Sequence, residues 1–209
     1  MSDWREKSMI RKLLAGILGG LAFFAWSSLA HVVLPLGQIG THPMPNDQAV
    51  MDSMKANIGK GGFYFFPANG LPQDATQSQR MAAMQELVAK HYVGPTGILI
   101  YHPARSLALS PRQLVIECAT NILQVLLAVF LLGQASLRSF GARWFFMTVA
   151  GVLAAISTNV SYWTFYGFPR SYTLATISTL VIGFICAGLV AAAIVKPGQA
   201  KPLAKAAGA

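Results

Sequence analysis

Glu117 is the only acidic side chain inside any long apolar run of the chain. A carboxylate in hydrocarbon costs on the order of 2–3 kcal/mol or more unless it is protonated, paired or hydrated, so Glu117 is expected to face the protein interior or a polar cavity. Gln113, Glu117, Asn121 and Gln124 follow one another at spacings of 4, 4 and 3, which sets them on one face of a helix. Other apolar runs carry polar groups toward the same outer half: Ser27, Ser28 and His31; then Ser157, Asn159, Ser161 and Tyr162; then Thr173, Thr176 and Thr179. Two arrangements suit these residue types. His31, Glu117, Asn121, Gln124 and Asn159 can converge on an outward-facing pocket for a lipid, quinone or ion. Alternatively the polar groups hydrogen-bond between helices, as they commonly do in membrane bundles, while Glu117 sits near the headgroups.

Other chemistries find less support. Neutral imidazole is a common metal and haem ligand, but His31 alone cannot build a bis-histidine site, and His42, His91 and His102 lack HExxH or paired spacing. Neither a metal nor another cofactor is expected. GxSxG, GxxxxGK[ST] and a GxGxxG following a strand are all missing from the sequence, which is therefore read as non-enzymatic. Cys118 and Cys186 fall inside apolar runs and are read as buried thiols acting as small hydrophobes rather than as a disulfide.

Composition decides what must position these residues. Of 209 residues, 54% are hydrophobic and 11% charged, with a mean hydropathy of +0.50. Soluble proteins carry about 25% charged residues, so a disordered chain and an ordinary soluble domain are both disfavoured. Four runs, 13–36, 113–135, 144–165 and 173–195, each reach the ~20 residues needed to cross hydrocarbon. The first also resembles a signal sequence, with a basic leader and Ser28-Leu29-Ala30 as a mimic of a cleavage site, and is read as a retained anchor. Small residues at Gly16 and Gly20 on the first run, and at Gly183, Ala187 and Ala191 on the fourth, predict close helix packing within the bundle or against a partner.

The net charge of +9 comes from 16 basic and 7 acidic residues. Many of the basic residues flank the apolar runs (Arg5, Lys7, Arg11, Lys12; Arg138, Arg143; Lys196, Lys201, Lys205), which suits topology and lipid headgroups rather than nucleic acid. This bias puts 1–12, 136–143 and 196–209 in the cytoplasm of a bacterial inner-membrane protein, with 37–112 and 166–172 outside. The last segment, rich in Lys, Ala, Pro and Gly, is read as a flexible tail.

The outer segment 37–112 is too long for plain loop. Asn46-Asp47 can cap a helix carrying Val50, Met51, Met54 and Ile58. Gly61-Gly62 then leads to a strand, Phe63 to Phe66, before Pro67. After a link over 68–74, a second amphipathic helix, about Gln77 to His91, carries Met81, Met84, Leu87 and Val88, and Gly97 to Pro103 reads as a second strand. The two halves are alike: helix, glycine, apolar strand, proline. Two strands bury too little to stand alone in water, so this small α/β cap is expected to lie against the membrane part or to pair with a partner. The expected fold is thus an all-α four-transmembrane-helix bundle with an α/β extracytoplasmic cap between its first and second spans.

Phe24-Ala25-Trp26 with Leu34-Pro35-Leu36, Gly62-Phe63-Tyr64-Phe65-Phe66-Pro67, and Ile98-Leu99-Ile100-Tyr101-His102-Pro103 carry a resemblance over most of the chain. In these motifs it resembles a family of uncharacterised bacterial inner-membrane proteins with four spans and a large first periplasmic segment. The resemblance implies no reaction and transfers no catalytic residue. The residues themselves favour an accessory or structural subunit that docks onto a larger membrane complex. Its expected partners are other integral membrane proteins or a second copy of the chain, with membrane lipids around it.

Overall fold

A computed structural model describes residues 2–68, 70–72, 74–103 and 109–196. The expected flexible tail, apart from its first residue, lies outside the described residues. The chain divides into two compact units: one holds Met1–Thr41, Leu109–Thr164 and Phe168–Ala209, the other His42–Ala108 and Phe165–Gly167.

The first unit is built from four long helices: α1 (Ser2–Ser28), α4 (Pro111–Leu132), α5 (Phe140–Tyr166) and α6 (Arg170–Ile194). Each includes a stretch long and apolar enough to cross a membrane, so the chain is a multi-pass membrane protein with four candidate spans. The helical ends differ from the sequence expectation for identifiable reasons. Helix α1 begins at Ser2, taking in the basic segment expected to precede the span. At its far end it widens into a π-helical turn over Leu29–Val33 and stops before Pro35, whose ring disfavours helical geometry at the preceding residue. Helix α4 starts at Pro111 because Ser110 and Gln113 form a reciprocal cap, with Gln113 N–H donating to Ser110 Oγ (3.3 Å) and Ser110 N–H donating to Gln113 Oε1 (2.9 Å). At α5, Ser139 Oγ accepts from the Ala142 N–H at 3.1 Å.

Packing in this unit rests on close approach. A Cβ added at Gly16 or Gly20 would run into Leu126 or the Ile122 backbone on α4, and one at Gly19 would lie 3.2 Å from the Ala187 carbonyl on α6. Gly183 of α6 makes room for the Phe23 ring, and Gly151 of α5 makes room for Phe184. Phe23 and Phe184 meet edge to face, 5.3 Å between centroids. Val125, Val129, Leu132, Met147, Ala187 and Ala191 complete the buried cluster. Helix α1 therefore packs on α4 and α6, and α6 also receives α5 through Gly188, where a Cβ would sit 2.9 Å from Met147 Cβ. The remaining helix surfaces are apolar and exposed (Leu13, Ile116, Leu127, Phe130, Phe145, Leu153), as a lipid-facing belt requires.

At the end of the bundle where α6 begins, a 3₁₀ turn over Leu36–Gln38 leads to Gly40 (φ 81°), where a Cβ would approach the Tyr172 amide nitrogen to 2.8 Å. Only glycine suits both the positive φ and that proximity. Tyr162, Phe168 and Tyr172 stack in sequence around the α5–α6 turn, at 5.3 and 5.5 Å. Aromatic side chains at that level fit the interfacial belt of a membrane protein.

The second unit contains α2 (Asp47–Asn57), β1 (Gly62–Phe66), α3 (Gln77–Val93) and β2 (Gly97–Tyr101). The strands pair antiparallel from Gly62↔Tyr101 to Phe66↔Gly97. This register is symmetric: the glycine opening each strand faces the aromatic residue closing the other. The likeness between the two halves in sequence thus appears as a local two-fold relation between their strands. The caps differ from expectation. Asn46 adopts a left-handed conformation (φ 52°) and makes no side-chain cap, while Asp47 accepts from the Gln48 N–H at 2.8 Å. Helix α3 carries a full capping box between Thr76 and Gln79. On α3, Lys90 donates to Glu86 at 2.7 Å and holds that carboxyl below its usual range by hydrogen bond and charge. Because the folded pKa is lowered, this support for α3 is present above the unfolded carboxylate range and is lost as pH falls through the lowered pKa.

The close approach at Gly183 has a direct test. Gly183→Ala is expected to lower the unfolding free energy by about 1–3 kcal/mol in detergent micelles, as overpacking does. Gly141→Ala, at a helical glycine with nothing within 4 Å of the added Cβ, is expected to raise it by up to about 1 kcal/mol. Equal shifts in the two variants would refute the packing described.

Candidate functional site

The polar stripe of α4 divides among separate tasks. Gln113 is engaged in the α4 cap with Ser110. Asn121 is buried, and its amide donates to Glu117 Oε1 at 3.4 Å. Glu117 itself is exposed rather than packed in the interior of the bundle, and Gln124 is half-buried. Spacing placed the four residues on a common face of their own helix. It could not say where along that face the neighbouring helices end.

The other polar residues of the expected pocket also turn to their own helices. His31 is exposed, with Nδ1 2.9 Å from the Ser27 carbonyl, so that nitrogen carries the proton in this contact. Its ring lies over Gly37, where a Cβ would stand 2.7 Å from Cδ2. Asn159 donates to Ala155 O at 2.8 Å. Ser157 donates to Ala154 O, Thr173 to Pro169 O, Thr176 to Tyr172 O and Thr179 to Ala175 O, all within 3.1 Å. Neither expected arrangement is thus formed by these hydroxyls: a short side chain in a helix reaches the carbonyl three or four residues back more readily than a neighbouring helix. Cys118 and Cys186 are free thiols, each half-buried. No group of three or more His, Cys, Asp or Glu side chains able to hold a metal ion occurs among the described residues.

Longer donors do cross between helices, and Trp26, Trp144 and Arg143 all end on the backbone of α6. Trp26 Nε1 donates to Thr179 O at 2.9 Å, and Trp144 Nε1 donates to Ile185 O at 3.3 Å. Arg143 is buried. Its Nε and Nη2 donate to Ala192 O at 3.3 and 3.0 Å, and its Nη1 donates to Arg138 O at 2.7 Å. Ala192 O belongs to the last turn of α6, whose carbonyls have no partner within the helix. A cation near the start of α5 opposes that helix's dipole by roughly 0.3–1 kcal/mol. Hydrogen bonds from a charged group are worth about 1.5–3 kcal/mol each, so the bonds to α6 outweigh that cost. Sequence reading assigned Arg143 to topology alone. The usable signal was the two tryptophans, whose indole N–H groups need an acceptor in lipid.

Beside Arg143 lies a cavity of about 420 Å³, lined by Lys7, Arg11 and Lys12 of α1, the 132–137 segment, Arg143, Val195 and Lys196. Both ends of the four-helix unit and the α4–α5 turn therefore meet at one end of the bundle, as expected of an even number of crossings. The Lys12 ammonium lies over Gly133 at the end of α4, where a cation complements the negative helix terminus.

Compared with family models, with curated proteins and with solved structures, the chain finds no match. Its family is therefore not identified, and its described chemistry is what its own residues provide.

The two charged side chains near helix ends should respond differently to replacement. Glu117→Gln is expected to leave thermal unfolding within about 0.5 kcal/mol of the parent, as for an exposed site. Arg143→Met is expected to destabilise by about 3 kcal/mol or more, because it leaves Ala192 O and Arg138 O without their donor. A silent Arg143→Met or a severe Glu117→Gln, read by unfolding in detergent, would overturn these assignments.

Proposed function

We propose that the chain is a non-enzymatic accessory or structural subunit of a larger membrane assembly, carried in a bacterial inner membrane with both termini cytoplasmic. The observation that supports it is the state of the second unit: none of its described residues is buried. Phe63, Phe65 and Ile100, at 55%, 50% and 65% exposure, stand with Ile98 on one face of the β1–β2 pair. Phe63 and Phe65 contact each other edge to face at 4.9 Å, so the face is a preformed aromatic patch. Tyr166 of the same unit also meets Phe65, 6.1 Å between ring centroids, and still leaves it half exposed. A two-stranded sheet with so exposed an apolar face is marginal in water, and aromatic residues are the usual anchors of protein interfaces. A membrane protein or a second copy of the chain laid over this face would complete it.

The orientation rests on the basic side chains at the cavity end of the bundle, which the positive-inside tendency places in the cytoplasm. The other reading, a lipid, quinone or ion site around Glu117, draws less support, because His31 and Asn159 bond to carbonyls of their own helices and Glu117 is exposed.

Purification from native membranes in mild detergent is expected to recover the chain with a membrane-protein partner, or with itself, at fixed stoichiometry. Phe63→Ser combined with Phe65→Ser is expected to release that partner without lowering the unfolding temperature of the helical unit. Recovery as a lone monomer carrying a quinone-like or lipid-like ligand that Glu117→Gln abolishes would favour the other reading.

A further inference from the structure

We propose that the cavity at the basic end of the bundle is a binding site for the phosphodiester headgroup of an anionic phospholipid. Five basic side chains, Lys7, Arg11, Lys12, Arg143 and Lys196, line it. No aspartate or glutamate is among its lining residues. The ends of α4 and α6 meet there and contribute about half a negative charge each, less than the positive charge of Arg11, Lys12, Arg143 and Lys196. Arg143 and Lys12 serve these helix ends. Arg11 and Lys196, both exposed, lie at the same cavity. The basic side chains at the cavity thus outnumber the helix ends that meet there.

The lining also selects among anions. Leu132, Leu137 and Val195 border the same space as the basic groups, so the cavity offers charge and apolar surface together. Inorganic phosphate uses only the former, whereas a phospholipid uses both. The site lies at the end of apolar helices long enough to span a membrane, where headgroups reside, and its volume of about 420 Å³ falls within the range of about 300–1,000 Å³ typical of small-molecule sites. Basic pockets between spans on the cytoplasmic side are a recurrent means of holding anionic lipid.

The test is native mass spectrometry of the full-length protein, delipidated in detergent and titrated with phosphatidylglycerol or with phosphatidylcholine of the same acyl chains. One phosphatidylglycerol is expected to bind at concentrations where phosphatidylcholine does not. Arg11→Gln combined with Lys196→Gln is expected to weaken this binding about 30-fold, about fivefold per charge removed. Lys55→Gln with Lys60→Gln, on the second unit, is the charge-matched control and is expected to leave it unchanged. Millimolar inorganic phosphate is expected not to displace the lipid. Equal binding of the two lipids, equal loss in the control, or displacement by inorganic phosphate would each overturn the proposal. Should the Arg11, Lys196 variant fail to fold, the comparison of the two lipids on the unaltered protein decides alone.

Discussion

The membrane unit depends on the small size of one helix's faces. On α6, Gly183 and Ala187 meet α1, while Gly188 receives Trp144 and Met147 of α5. Lipid tails are as apolar as leucine, so burial of apolar surface alone cannot hold spans together. Close approach is what makes the remaining forces count. It brings Phe23 onto Phe184, and it lets two indoles and a guanidinium reach carbonyls of α6 that would otherwise lie beyond them. Larger residues on these faces would lose the dispersion contacts and the long-range hydrogen bonds together.

The second unit has no equivalent. Besides the strand ladder, its described bonds include a capping box, a Tyr64 hydroxyl donating to Lys60 O and an ion pair along α3. Its strands pair in symmetric register, yet Phe63, Phe65 and Ile100 on one side of that pair stay half or more exposed even with Tyr166 against Phe65. The first unit has a buried core, and none of the second unit's described residues is buried. Function is accordingly sought at surfaces rather than in a cleft, with an aromatic patch on one unit and a basic cavity on the other.

Much of the architecture was legible in the sequence because it follows from local rules. Apolar run lengths mark four spans, and Phe63–Phe66 and Ile98–Tyr101, bounded by glycine and proline, mark the two strands. The capping boxes at Thr76 and Ser110 carry the same local signal, and the second explains why α4 starts earlier than hydropathy alone indicated. The proposed pocket was less legible. Four-residue spacing aligned Glu117 with Asn121 on α4, but burial of one and exposure of the other depends on which helix arrives and where. The bonds of Arg143 to α6 were illegible for the same reason, since the acceptor, Ala192, lies 49 residues away in sequence. Threonines and serines looked like groups for neighbouring helices, whereas their short side chains close onto their own.

Amide hydrogen exchange on the full-length protein, purified alone and again in its native membrane, tests the contrast between the units most directly. Alone, amides around Gly183 to Ala192 should exchange slowly, while those of 62–66 and 97–101 should exchange at nearly unprotected rates despite their pairing, since an uncovered two-stranded sheet opens at little cost. In the native membrane the strand amides should slow by tenfold or more. Strand amides as protected in the isolated protein as those of α6 would contradict the account, because the second unit would then be complete without a partner.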